Sequence, residues 1–347
     1  MNNKAIIAMS GGVDSSVASF LMQEQGYELL GVTLALIDSD SQDIEDAKKV
    51  ADHLGFSHTV LDFKDEFRKE VIERFIAAYE NLETPNPCVF CNRFIKFGKL
   101  VDYGIDMGYS HIATGHYAQI EEHNGRYLLK KGKDHSKDQS YVLYSLSQKQ
   151  LSYTKFPMGS MSKAEAREIA EENNFINARK KDSQDICFVR DGDYAGFIER
   201  YLGKTYPRGP FVDFDGNVLG THKGLIHYTV GQRKGLGLAL PKPMYVCKLS
   251  GEDNSVILGD NIDLFSTTLD AHDINLIATD KLDTQIRAEV KVRYSQKAQP
   301  ATVWQTDSDR LHIEFDEPQR AITPGQAVVM YDGDTVIGGG TICKRDL

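Results

Sequence analysis

Short apolar runs and amphipathic stretches alternate through the first third of the chain. AIIAM (5–9), LLGVTLAL (29–36), HTVLDF (58–63) and HIATG (111–115) read as strands, and 43–54, 64–80 and 92–107 between them read as helices. Such a βαβ succession predicts a parallel, doubly wound sheet that binds ligands at the carboxyl ends of its strands. Chemistry is therefore expected in the loops after the first strand, the second strand and HIATG. A hairpin is expected around Asn124 and Gly125, and the pair Ser162 and Glu165 spells a capping box that starts a helix running to about Asn173.

From Lys204 the pattern changes. Glycine and proline become dense, with a turn at Asp215-Gly216 and the segment GQRKGLGLALPKP, which predicts a small β-rich unit. In IRAEVKVRY (286–294) apolar and charged positions alternate strictly, which puts Arg287, Lys291 and Arg293 on one open face of a half-buried strand. A hairpin at Asp332-Gly333 and the GGG at 338–340 predict a small, tightly curved barrel. The fold class is α/β in three units: a doubly wound parallel domain over 1–203, a β-rich connector over 204–272 and a C-terminal β-barrel over 273–347.

The chain has 347 residues, enough for a proper core, and its five cysteines are odd in number and irregularly spread. Nothing reads as a signal peptide, and no apolar run approaches a membrane span, so the expected location is a reducing cytoplasm and no membrane partner is expected. The net charge of −10 argues against general affinity for nucleic acid. Local basic clusters soften that: Lys130, Lys131, Lys133 and Lys137; Arg179 to Lys181; Arg233 with Lys234; Lys291, Arg293 and Lys297. A compact RNA needs only a basic stripe on one face.

The first strand runs into AMSGGVDSS, residues Ala8, Met9, Ser10, Gly11, Gly12, Val13, Asp14, Ser15 and Ser16. Paired glycines let backbone N–H groups close on an anion, and the two serines add donors at a helix N-terminus. The loop lacks the lysine of a Walker A motif, which points away from γ-phosphate transfer. In its place stands Asp14, a candidate ligand for Mg²⁺ bridging to the phosphates. This loop resembles that of the PP-loop ATP pyrophosphatases, which cleave ATP between the α and β phosphates and adenylate a carbonyl oxygen.

Further blocks narrow the resemblance. TPNPCVFCNRFIKFG, ATGHYA (113–118), KDQSYVLY (137–144), SQDICF (183–188), YTVGQRKGLG (228–237), VRYSQ (292–296) and TPGQAVV (323–329) together resemble the tRNA-specific 2-thiouridylase family, in order and over nearly the whole chain. The resemblance implies replacement by sulfur of the C2 oxygen of the wobble uridine of tRNA, with ATP and Mg²⁺. It also implies a cysteine desulfurase or sulfur-relay protein as sulfur donor. Under it, Cys91 is the nucleophile, Cys187 the persulfide carrier, Leu34 packs on adenine and Gly115 lines the nucleotide. Asn86, Pro87 and Cys88 meet the target base beside His116, while Lys137, Asp138, Gln139, Arg293, Tyr294 and Gln326 contact tRNA. The tRNA is expected on the β units, read by shape and phosphates, with the wobble base flipped toward the α/β site.

The chemistry follows from residue types too. Sulfur insertion at an amide-like carbon needs an activated oxygen, a soft sulfur nucleophile, and a second thiol that frees the transferred sulfur. ATP on the loop, a Cys187 persulfide and Cys91 supply the three, and the cycle ends in a Cys91–Cys187 disulfide that a reductant reopens. One position departs from many family members, which carry aspartate where this chain has Cys88. Cys88, Cys91 and Cys187 are then also candidate ligands of a [4Fe–4S] cluster whose open iron delivers sulfide. Zinc is disfavoured for want of a second ligand pair. Cys247 and Cys343 read as small strand residues. Two rivals are another PP-loop adenylating ligase, which needs neither Cys91 nor Cys187, and an ATP-dependent RNA-binding protein without chemistry.

Overall fold

The computed structural model describes residues 3–38, 41–180, 186–189 and 191–344. Lys181 and the Ser183–Asp185 part of SQDICF lie outside them. Five parallel strands form the first sheet, in the order Ser57–Asp62, Glu28–Ala35, Lys4–Ala8, His111–Ala113 and Thr154–Lys155. The central strand is buried on both faces, as its unbroken apolar run requires. Its side chains alternate between two cores: Ala5 and Ile7 join Val17, Met22, Val50 and Ala166 on one side, and Ile6 joins Phe97, Leu100 and Ile112 on the other.

The expected helices form, two of them with a local departure. The 64–80 helix is built from Lys64–Phe67, a π stretch Arg68–Ile72, and Glu73–Glu80. The helix that carries the cysteine pair runs as Pro87–Phe90, a π stretch Cys91–Lys99, and Leu100–Asp106. Such widened turns concentrate at functional sites, and here one opens at Cys91. The Ser162 capping box forms as expected, heading the helix Lys163–Glu172.

The connector is a four-stranded sheet over its own apolar cluster of Phe211, Tyr228, Val246, Val256 and Leu258. The barrel closes because Phe265–Leu276 pairs with both Arg310–Arg320 and Thr335–Ile342, completing a ring with Ile286–Lys291, Gln299–Asp307 and Ala327–Asp332. The strand Phe265–Leu276 runs unbroken through residue 272, so the barrel takes in residues that the pattern gave to the connector. Gly338 and Gly339 are needed in the closing strand: a Cβ there would run into the Asn275 and Val328 carbonyls.

The hairpin Ala118–His123/Arg126–Lys131, turning through Asn124 and Gly125 at positive φ, extends the barrel sheet by pairing with Thr335–Ile342. Along Ala327–Asp332, residues 327, 329 and 331 pack against the first domain while 328 and 330 fill the barrel. One strand thus serves two cores, and the barrel is bound firmly to the α/β domain.

Candidate active site

The loop after the first strand turns at Gly11 (φ +70°) and feeds the helix Val13–Glu24, whose N-cap Gly12 brings no side chain to its first turn. The leading N–H groups of a helix have no intrahelical partners, so this end suits an anion. Ser15 fixes the loop by accepting from the Ser10 N–H (3.2 Å) and donating to the Gly12 carbonyl (2.9 Å). Gly115, beyond His111–Ala113, closes the other wall: a Cβ on it would lie 2.7 Å from Asp14 C and 2.8 Å from Ser15 N. A glycine-walled cradle at an uncapped helix end fits the phosphates of ATP.

Three cradle residues escaped the sequence reading. Lys163 Nζ donates to both Asp14 carboxylate oxygens at 2.8 Å, with its side chain only 10 % exposed, and Tyr117 Oη donates to Asp14 Oδ1 at 2.8 Å. Asn177 Nδ2 donates to the Gly11 carbonyl (3.0 Å) and Ser16 Oγ (2.9 Å), and its buried Oδ1 has no partner. Only the position of Lys163, first after the capping-box serine, and of Tyr117, within ATGHYA, hinted at them. Asp14 was expected to hold Mg²⁺. Here its oxygens accept from a lysine and a tyrosine.

Leu34, at the end of the second strand, packs between the inner core and the cluster that holds Cys91. His116 is buried, caged by Phe97 and Phe156, with Nδ1 2.7 Å from Thr114 Oγ1. Burial first, then Lys96, lowers its pKa well below the usual histidine value, so the ring is neutral.

The cysteines lie beside this sheet end. Asn86 caps its helix by accepting from the Cys88 N–H at 3.1 Å, and Pro87 takes the first helical position. Cys88 and Cys187 are exposed, whereas Cys91 is buried among Phe67, Phe75, Ile95 and Phe188. That burial pushes the Cys91 thiol up to about 12. Burial and then the neighbouring Cys88 push Cys187 up as well, although its residue keeps an exposed surface at the crowded rim. Lys96, another residue the sequence did not single out, lowers both thiols and is the cation facing them. Among the described residues no three His, Cys, Asp or Glu side chains are grouped to hold a metal ion. The three cysteines share a site but do not stand as a ligand set, so they do not fit a [4Fe–4S] cluster in this arrangement.

The expected tRNA contacts divide. Tyr294 is exposed, and close enough to Cys88 to feel its charge. Lys291 Nζ lies over the Tyr141 and Tyr294 rings at 5.7 and 5.8 Å. Arg293 is half-buried, with Nη2 donating to the Ala321 carbonyl (2.6 Å) and Thr323 Oγ1 (2.9 Å). The strand ends at Lys291, so the charged face expected of 286–294 divides: Arg287 stays exposed and is paired to Asp316, whereas Lys291 and Arg293 are half-buried. Asp138 is buried, accepting from the Gly132 and Ser140 N–H groups, and Gln139 Oε1 accepts from the Tyr117 N–H. These two hold their loop in shape, leaving Lys137 half-exposed upon it.

Gln326 Nε2 donates to the Thr84 carbonyl at 2.6 Å, and the Thr84 N–H donates to the Pro324 carbonyl at 2.8 Å. Thr84 Oγ1 also lies 3.1 Å from Thr229 Oγ1. Barrel, connector and catalytic domain therefore meet at one residue, two before Asn86.

Three family profiles match in succession: a tRNA methyl transferase HUP domain over 3–191, a tRNA methyl transferase PRC-barrel domain over 195–260, and an aminomethyltransferase beta-barrel domain over 266–342. The chain is 48 % identical to the tRNA-specific 2-thiouridylase MnmA of Clostridioides difficile, over 99 % of both chains. It is 47 % identical to that of Acetivibrio thermocellus, over 98 % of this chain and 99 % of the relative. A solved 4-thiouridine synthetase–RNA complex with bound ATP aligns to 58 % of this chain and 50 % of its own, at 18 % identity and a TM-score of 0.39.

Proposed function

We infer the chemistry from a plain premise: the chain belongs to the tRNA-specific 2-thiouridylase family. It is a tRNA-uridine 2-sulfurtransferase that uses ATP to convert a uridine of tRNA to 2-thiouridine. The wobble position, the donor and the residue roles are our reading. The observation that carries them is the meeting, at one end of the parallel sheet, of an anion cradle and two exposed thiols.

The Val13–Ser16 end of the helix binds the ATP phosphates, and Lys163 holds Asp14 against the loop beside them. Uridine O2 attacks the α-phosphorus and pyrophosphate leaves, so O2 becomes part of an AMP leaving group. Sulfur arrives as a persulfide on Cys187, the exposed thiol, from a cysteine desulfurase or sulfur-relay protein. The outer sulfur then adds to C2 and AMP departs with the old oxygen. Cys91 attacks Cys187 Sγ, and the bond from Sγ to the transferred sulfur breaks with its electron pair going to that sulfur. The Cys91–Cys187 disulfide left behind is reopened by a reductant, while Lys96 offsets the negative charge that develops on sulfur. Neutral His116, held by Thr114, offers an uncharged wall beside the base. Lys137, Lys291 and Tyr294 form the tRNA-facing rim, with Arg293, Asp138 and Gln139 supporting it from behind.

The profile description names methyl transfer, whereas thiolation accounts for the cysteines and the cradle. ATP with a persulfide donor should yield 2-thiouridine and AMP in equal amounts, and S-adenosylmethionine should yield no methylated uridine. Methylation without thiolation would overturn the assignment.

A further inference from the structure

Two arginines meet where the connector abuts the barrel. Gly231 of the connector turns at φ +89°, its N–H donating to the Val246 carbonyl, and Ala321 of the barrel turns at φ +52°, its N–H donating to the Leu264 carbonyl. The two turns sit back to back: a Cβ on Gly231 would lie 2.8 Å from Ala321 Cβ. The same point would be 3.5 Å from Arg293 Nη2 and 3.9 Å from Arg320 Nη1. Two guanidinium groups from different parts of the barrel therefore converge on one side of this seam.

Elsewhere in this acidic chain arginines find carboxylates: Arg93, Arg126 and Arg287 are each paired to an aspartate. At the seam, among the described residues, neither arginine has such a partner. Arg293 Nη2 donates to the Ala321 carbonyl and Thr323 Oγ1, which fixes that guanidinium without cancelling its charge. Arg320 is half-buried, with Cζ 5.1 Å over the Tyr245 ring and Nε donating to the neutral Asn261 Oδ1 at 2.9 Å. That anchoring leaves its Nη1 end directed at the seam. Like charges held this close oppose each other, and after burial Arg320 is the next cause that lowers the Arg293 pKa. A guanidinium is weakly hydrated and its fork matches a phosphate, so an anion beside the pair relieves the repulsion.

The seam continues the tRNA-facing rim. Exposed Tyr294 follows Arg293, Lys291 lies over its ring, and Arg233 and Lys234 stand exposed shortly after Gly231. The ATP cradle is built from other residues, at Gly11–Ser16 and Gly115. We propose that Arg320 contacts tRNA directly, gripping one backbone phosphate at the seam between connector and barrel, with Arg293 as a fixed positive charge behind it. The proposal rests on the tRNA-thiolation reading and adds a contact to it. Such a contact carries no base information; it sets how the tRNA lies on the protein.

The test measures binding of a tRNA transcript to the full chain across a range of salt concentrations, beside thermal unfolding of each variant. Arg320→Gln should weaken binding about tenfold and flatten the slope of log affinity against log salt by about 1. Arg320→Lys keeps the charge and should hold the wild-type slope, although it loses the fork and the planar stack on Tyr245. An arginine with a purely structural role would fail in both variants alike. Asn261→Asp leaves the packing in place and sets a carboxylate against Arg320, so it should flatten the slope as Arg320→Gln does, and it decides the matter should Arg320→Gln not fold. A wild-type slope in either neutralising variant, or equal loss in Arg320→Gln and Arg320→Lys, would overturn the proposal. So would a fall in ATP affinity of Arg320→Gln measured without tRNA, because the seam would then hold a nucleotide phosphate. Wild-type protein with no affinity for tRNA would overturn the thiolation reading and this contact with it.

Discussion

Gly115→Ala is the sharpest steric test of the cradle. The added Cβ would lie 2.7 Å from Asp14 C, 2.8 Å from Ser15 N and 2.9 Å from Asp14 O. All three are backbone atoms, so no side chain can swing away, and the loop must move several tenths of an ångström. Overpacking of this kind costs about 1–3 kcal/mol. Gly115 has no positive φ, so no backbone strain adds to that figure. The restricted unfolded chain returns roughly 0.4–1 kcal/mol. If the loop shifts to relieve the overlap, nucleotide binding must restore it, and affinity should fall about 5- to 150-fold at ~1.4 kcal/mol per decade. Titration calorimetry with a non-hydrolysable ATP analogue reads the affinity, and thermal unfolding reads the strain. Gly12→Ala is the contrast, since its Cβ would meet only Ser10 Oγ at 3.4 Å. It should leave the melting temperature unchanged and weaken nucleotide binding alone. Wild-type affinity and stability in Gly115→Ala would refute the idea that this wall sets the cradle.

Four further outcomes follow from the same geometry. Asp14→Asn removes the anion held by Lys163 and Tyr117, and should cost about 1–3 kcal/mol in denaturant unfolding together with most adenylation activity. Gln326→Ala loses its bond to the Thr84 carbonyl, so single-turnover rate should fall more than tRNA affinity; a change in affinity alone would return Gln326 to direct tRNA contact. Iodoacetamide at mildly alkaline pH should label Cys88 and Cys187 and spare Cys91. The stability that protonated Cys91 provides is complete below its ordinary pKa of 9.0 and is lost as pH rises through about 12, because the unfolded chain releases that proton first. Unfolding measured across that window should show stability falling, and the fall should be smaller in Cys91→Ala.

What the sequence revealed was what local pattern can encode. The strand runs, the Asn124-Gly125 turn and the Ser162 box each depend on a few neighbouring residues, and all three form. The Gly11–Ser16 cradle was legible because its glycines and helix start are contiguous. Lys163 and Asn177 were not, because they reach Asp14 and Gly11 from well over a hundred positions away. The alternation in 286–294 was read correctly as a strand only over Ile286–Lys291; Lys291 lies over the Tyr141 and Tyr294 rings, and Arg293, past the strand's end, is bonded to the turn at Ala321. The CxxC pair was visible as a motif. That one cysteine faces solvent and the other a phenylalanine cluster depends on Phe67, Phe75 and Phe188 from other elements.

The central claim is ATP-dependent sulfur insertion through Cys187. Its most direct test is single-turnover analysis of a tRNA transcript with persulfide donor and radiolabelled ATP, in wild type and Cys187→Ser. The account predicts one 2-thiouridine for each AMP in the wild type and none in the variant. Thiolation that persists in Cys187→Ser, or AMP formed without any thiolated nucleoside in the wild type, would contradict it.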